Sequence, residues 1–312
     1  MAQHRDVTLP MTGDKIERRR IKLRTTDILP FLFLLPFAIP FLLLFVWPLL
    51  HGFYLSFTDY HLIKGTSNFV GFRNYINLFL HDPVFLTSLK NTLLFVALNV
   101  PVVVIVALGL ALLLSYPLKG KALFRAVFVT PYFISGAATA ILFQFIFLPS
   151  GLVNYYLGKL GIQSFSLETS TVVAICVIVL ITVWWRVGLA TVVFLAGIED
   201  IPDQFYEAAR VDGAGSWQCF RYITLPLLRP VMVFVIIIRL IATFSMFDQV
   251  YLVTQGGPYG STRVLLQYLY ETAFSYYNLG SGSAIGWILF FLILSFSLFQ
   301  LRYLRLSSAY DR

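Results

Sequence analysis

Residues 201–226 read Ile201-Pro-Asp-Gln-Phe-Tyr-Glu-Ala-Ala-Arg-Val-Asp-Gly-Ala-Gly-Ser-Trp-Gln-Cys-Phe-Arg-Tyr-Ile-Thr-Leu-Pro226. This is a polar insert of helix–turn–helix size between two strongly apolar runs. Its beginning is charged: residues 199–212 hold five acidic side chains and one arginine. The rest of the chain avoids charge. Of 312 residues, 58% are hydrophobic and 12% charged, whereas soluble globular domains carry about 25% charged residues. That composition belongs to a membrane protein, and a 17% aromatic share suits lipid-facing and interfacial positions. A hydrocarbon-spanning helix holds a protein in a bilayer but offers nothing to a soluble partner. An ordered polar insert does.

Covering the hydrocarbon core takes about 20 apolar residues in a helix, because every backbone polar group must be satisfied internally there. Six stretches qualify, at 28–50, 92–116, 126–148, 171–198, 230–254 and 283–303. The spacing predicts an all-α membrane protein of six transmembrane helices. Around them lie a basic arm, 1–27, and a tail, 306–312, with the polar loop at 199–229 inside the 28–305 domain. Pro30, Pro36, Pro40 and Pro48 predict a kinked first span. The apolar run after the arm is too long for the h-region of a signal peptide and lacks an A-x-A end, so it reads as an uncleaved helix.

Lysine and arginine placement sets orientation. The arm, the 117–125 connection, the 199–229 loop and the C-terminal end hold 16 of these residues, and the alternate loops hold 5. Both termini and the polar insert are therefore expected on the cytoplasmic side. The net charge of +8 is spread over short connections beside apolar runs, which argues against nucleic acid. Cys176 and Cys219 form neither a disulfide framework nor a metal spacing. His4, His51, His61 and His81 also lack metal-like spacing.

Within the insert, Ile201, Phe205, Ala208 and Ala209 recur on one face of a short helix. Pro202 marks its first turn, Gly213 and Gly215 break it, and Ser216 can cap a second helix leading to Pro226. Two uses fit: a helix lying on lipid headgroups, or a protein-docking surface. Headgroup-binding helices usually carry a Lys/Arg-rich polar face, and the acidity here favours docking.

The pattern Glu207-Ala208-Ala209, Asp212-Gly213-Ala214 and Ile223-x-Leu225-Pro226 resembles the EAA loop of inner-membrane permease subunits of binding-protein-dependent ABC importers. Other pieces resemble the carbohydrate-uptake branch, the maltose and glycerol-3-phosphate permeases. They are Phe69-Val-Gly-Phe-Arg-Asn-Tyr75, Arg125-x-x-Phe-x-x-Pro131-Tyr132, Phe194-Leu-Ala-Gly197 and Phe247-Asp248-x-x-Tyr251-x-x-Thr254-x-Gly256-Gly257-Pro258. The resemblance implies a type I importer permease fold in the bacterial or archaeal inner membrane, with a cytoplasmic coupling helix. It implies three kinds of partner: a second permease subunit, a cytoplasmic ATPase dimer and an extracytoplasmic substrate-binding protein. Glu207 would pair with a basic group of the ATPase, Ala208 and Ala209 would permit close approach, and Gly213 would supply the turn. Asp212, Leu225 and Pro226 complete the coupling set. The chain has no G-x-x-x-x-G-K-[ST] loop, so ATP and Mg would belong to the partner ATPase and this subunit would not be an enzyme.

Charge inside a span is costly and marks a functional candidate. Arg186, after Trp184-Trp185, and Arg239 fall near the middle of their spans. Each either satisfies backbone carbonyls or lines a translocation cavity. Arg239 and Asp248 lie about 180° apart on one helix, so they are expected not to pair. Phe244, Asp248 and Tyr251 share a face at i, i+4 and i+7, which suits either sugar stacking or ordinary packing. Three functions remain in view. The first is the permease of a sugar importer. The second is the same role for a phosphate ester such as glycerol 3-phosphate, motivated by the two arginines. From another class comes an ATP-independent channel or secondary carrier.

Overall fold

The computed structural model describes residues 25–65, 67–116 and 119–310, so the arm up to residue 24 and the last two residues lie outside the described residues. The chain divides into two units, 1–51 and 52–312. Among the described residues there is no β-strand beyond two isolated bridges, Thr58–Phe69 and His61–Asn278.

The described part of the first unit is helical. Helix α1 (Thr25–Phe41) leads through a π turn at Leu42–Val46 into α2 (Trp47–Leu55). Prolines strip N–H donors from this stretch, and the backbone widens between Pro40 and Pro48. Phe37, Phe41 and Phe45 stack at 5.7 and 5.8 Å on its outside and are exposed, as lipid-facing aromatics would be.

In the second unit, α3 (Arg73–His81) precedes α4 (Pro83–Ser115), whose first turn is capped by Asp82 accepting from the Phe85 N–H at 2.9 Å. Then come α5 (Lys121–Val129), a 3₁₀ turn at Thr130–Phe133, α6 (Gly136–Phe147) and α7 (Leu152–Lys159). The expected third span, 126–148, is therefore not one helix. Pro131 lacks an N–H and its ring disfavours helix in the preceding turn, so the chain breaks there and restarts at Gly136.

Helix α8 (Thr171–Glu199), 29 residues long against the 33 of α4, packs along α4; Ala107, Ala111 and Ala190 are buried in their shared core. Small residues let helices approach closely where no hydrophobic drive separates helix from lipid. The polar insert forms α9 (Asp203–Val211), α10 (Ser216–Cys219), a π turn at Phe220–Thr224 and α11 (Leu225–Leu227). The chain then bends by 66° into α12 (Arg229–Phe244).

A second correction concerns the fifth span, 230–254. Helix α12 stops at Phe244, and α13 (Asp248–Val253) begins after an irregular Ser245–Phe247 link. Thr243 turns its hydroxyl back to the Arg239 carbonyl at 2.8 Å, a contact that weakens a helix end, and Asp248 opens α13 where a carboxylate suits the helix dipole. Phe244, Asp248 and Tyr251 thus do not share one helix face, and the 180° argument for Arg239 and Asp248 lapses. The chain closes with α14 (Leu265–Tyr270), a π turn at Glu271–Ser275 and α15 (Leu279–Tyr310). Among the described residues, five helical stretches are long and apolar enough to span a membrane, six if the bent 216–244 pair counts as one.

Candidate functional site

The polar insert is a built object. Helix α9 starts after Pro202, which stands at the N-cap, one position earlier than a first-turn residue; Asp203 supplies the acid of the first turn. Its end is a Schellman motif: the Ala214 N–H reaches the Ala209 carbonyl at 2.9 Å and the Gly213 N–H the Arg210 carbonyl at 3.1 Å. Gly213 adopts φ +80, a left-handed conformation that L side chains resist. Ser216 does not cap α10. Gly215 holds that position, and its N–H donates to Gln218 Oε1 at 2.7 Å.

Tyr206 and Thr224 share a hydroxyl hydrogen bond of 2.9 Å, bracing α9 against the segment that carries Leu225 and Pro226, both half-buried. The expected apolar face is not turned inward as a whole. Ile201 is buried ahead of the helix and Ala209 is half-buried, while Phe205 and Ala208 stay exposed beside Glu207 and Asp212. Val211 is 88% exposed, Trp217 72% and Tyr222 73%. A braced helix with an acid, small residues and uncovered large apolar side chains has the anatomy of an interface core and rim.

The second site lies inside the helical body. A cavity of about 90 Å³ is lined by residues from α4, α8, α12, the 245–247 link and α13. Four of the predicted path residues meet there: Trp185, Arg186, Arg239 and Asp248. The Trp185 indole donates to the Ile134 carbonyl at 3.0 Å. The Arg186 guanidinium lies 3.5 Å from the Trp185 ring centre and 5.7 Å from that of Tyr132. Arg239 donates to the Arg186 carbonyl at 3.3 Å. Gly136 allows the wall to close: a Cβ there would meet the Asp248 carboxylate and come within 2.7 Å of the Trp185 ring.

Three predicted path residues stand elsewhere. Phe244 is fully buried in the core against Phe296, at 5.5 Å. Trp184 packs edge-on to Phe143 at 5.2 Å. Tyr251 stacks on Phe247 at 4.9 Å and lines a different depression, about 670 Å³, with Gln144, Gln255, Arg263 and Glu271.

Composition also passed over some groups. Asn99 is fully buried on α4, two residues before Pro101, and neither of its amide atoms has a partner. The Gln249 amide nitrogen is likewise buried and unpartnered. An unmade hydrogen bond in such a place costs about 1–3 kcal/mol, which marks both as groups waiting for a ligand or a neighbour. An Asn amid the apolar run that follows Thr92 in a 33-residue helix was the available signal.

Residues 92–305 match the family described as "Binding-protein-dependent transport system inner membrane component". The chain is 35% identical to the arabinooligosaccharides transport system permease protein AraP of Bacillus subtilis, over 88% of this chain and 87% of that one. It is 33% identical to the sn-glycerol-3-phosphate transport system permease protein UgpA of Yersinia pestis, over 91% and 96%. A crystal structure of a bacterial alginate ABC transporter, in complex with an alginate pentasaccharide-bound periplasmic protein, superposes with a TM-score of 0.74 at 25% identity, covering 88% of this chain and 93% of that one. The chain is a membrane transport subunit of the type I ABC importer permease fold and belongs to the family of inner-membrane components of binding-protein-dependent transport systems.

Proposed function

We propose that this chain forms half of the translocation path of an ATP-driven importer of sugar-class solutes. A second permease subunit supplies the other half and an extracytoplasmic substrate-binding protein delivers the solute. A separate ATPase dimer, which binds ATP and Mg, drives the cycle through the 199–229 loop. Both termini lie on the cytoplasmic side, with that loop. Glu207, Ala208, Ala209, Asp212 and Gly213 form the surface the ATPase receives, with Leu225 and Pro226 returning the chain to the bilayer.

One observation carries the sugar class: a buried polar cavity in which Asn99 and Gln249 have unmade hydrogen bonds. A hydroxyl donates and accepts at once, so a polyol suits an unpaired amide, while the Trp185 ring offers a stacking surface. The relatives' transported compounds, arabinooligosaccharides and glycerol 3-phosphate, both carry hydroxyl groups. The phosphate-ester alternative rests on Arg186 and Arg239, but Asp248 on the same wall opposes an anion. The test is uptake by proteoliposomes holding the whole complex, comparing a neutral sugar with glycerol 3-phosphate. Arg186→Gln and Arg239→Gln should leave any ester uptake weakened more than sugar uptake if phosphate is the ligand. Loss of sugar uptake alone would end the phosphate reading. Uptake that proceeds without ATP would end the importer reading itself.

A further inference from the structure

Glu199 ends α8 immediately before the insert, and a carboxylate at a helix C-terminus stands against the helix dipole. Two cations compensate. Lys121 Nζ and Arg125 Nη2 both lie 2.7 Å from the same oxygen, Glu199 Oε1. All three side chains are partly exposed, so either pair alone would contribute little. Together they tie one turn of α5 to the root of the insert.

Helix α5 touches α8 at a second point. A Cβ added at Gly188 would lie 2.7 Å from the Phe128 carbonyl carbon and 2.8 Å from the Val129 Cα. The two helices therefore run antiparallel in close contact, fastened at Glu199 and flush at Gly188. Beyond Val129 the same segment delivers Tyr132 to within 5.7 Å of the Arg186 guanidinium and the Ile134 carbonyl to the Trp185 indole. One short helix thus links the coupling insert to the wall of the cavity.

We propose that Glu199 is a positioning residue that fastens α5 to the insert, so that α5 carries displacement of the insert to Tyr132 and Ile134 at the cavity. This rests on the permease reading above. Helix α5 moves with the C-terminal end of α8 as one body, and the two-cation clasp stays closed through the cycle. Without it the ATPase would still turn over, but the cavity would no longer follow.

The test uses the whole complex with Cys176 and Cys219 replaced by serine and a reporter at the cavity, Ser245→Cys. The rate at which a charged methanethiosulfonate labels that thiol is compared with and without ATP plus vanadate. With Glu199 intact, nucleotide should change the rate about tenfold, within the usual range of coupling between sites. Glu199→Lys should cut that response to less than about twofold while ATP hydrolysis continues. Reversing the cations as well, with Lys121→Glu and Arg125→Glu, should restore it. A merely structural role would lower the yield of complex and leave the response intact. Should Glu199→Lys fail to assemble, Glu199→Gln is read instead, with a loss of about threefold in the response expected. A full response in either variant overturns the fastening. A parent complex with no nucleotide response overturns the permease reading instead.

Discussion

The insert and the cavity are built in opposite ways. The insert is contiguous in sequence, closed by its own backbone caps, and turns its chemistry outward: Glu207 and Ala208 are exposed while Ala209, Gly213 and Ala214 spend their backbone groups on the turn. The cavity has no contiguous signature. Asn99, Thr182, Arg186, Arg239 and Asp248 come from four helices, and the Asn99 and Gln249 amides in its lining have bonds unmade. The first region closes its own backbone turn and leaves side chains uncovered on its surface. The second holds back stability that a ligand can supply, which is the usual position of a functional site. Changes in the insert should therefore alter transport with little effect on folding, and changes in the cavity should move both, sometimes in opposite directions.

The largest effect should come from closing the cavity wall. Gly136→Leu would drive a side chain into the Asp248 carboxylate and the Trp185 ring. Overpacking of this kind costs about 1–3 kcal/mol, and uptake in proteoliposomes should fall below about one-hundredth of the parent, since a misplacement near 1 Å already costs about a hundredfold. Normal uptake would show that the wall formed by Gly136, Trp185 and Asp248 is not part of the path. Next in size is Glu207→Arg. Exposed positions away from special features usually shift stability within about 0.5 kcal/mol, so the melting temperature of the complex should hold. Transport should fall about tenfold or more, a loss of the size expected when a charge at an interface is reversed. A drop in melting temperature with coupling intact would invert the comparison.

Asn99→Leu separates the two regions most sharply. Replacing an unpaired buried amide with an apolar group of the same branching should stabilise the chain by about 1–2 kcal/mol, because a desolvation cost disappears. Uptake should nevertheless fall, since the cavity loses a donor and an acceptor. Stability and activity moving in opposite directions is the outcome to look for, by thermal unfolding in detergent alongside uptake. Loss of both would mean that Asn99 meets a neighbour in the assembled complex rather than a ligand.

Much of the insert was legible because its signals are local. Gly213 announces a left-handed turn, and the apolar runs on either side make a polar loop conspicuous. What misled were arguments assuming an unbroken helix. The reading of 230–254 as one span made Phe244, Asp248 and Tyr251 a single stripe, yet Thr243 and Ser245 end α12 just where the stripe should run. Pro131 carried the equivalent warning for 126–148. Asn99 was missed because one amide hardly changes the hydropathy of a 33-residue helix, whereas the two arginines stood out by charge. The clasp of Lys121 and Arg125 on Glu199 was invisible for another reason: its members are 74 to 78 residues apart. In the sequence Lys121 counted only toward orientation, Arg125 also toward a family motif and Glu199 only toward the acidity of the insert.

The smallest expected effect tests how far the insert depends on its own turn. Gly213 sits at φ +80 with nothing near its missing side chain, so conformation alone resists a substitution. Alanine there should cost about 1 kcal/mol, the penalty of a Cβ in the left-handed region, whereas asparagine visits that region readily and should cost less. The loss is local. It weakens the bond from the Ala214 N–H to the Ala209 carbonyl, which amide hydrogen exchange at Ala214 reports directly. Gly213→Ala should therefore raise exchange at that amide by about fivefold, the equivalent of 1 kcal/mol, and lower uptake by no more than about the same factor. Gly213→Asn should stay close to the parent in both. If asparagine fails as badly as alanine, the position demands the absence of a side chain, and the turn itself belongs to the docking surface proposed for α9.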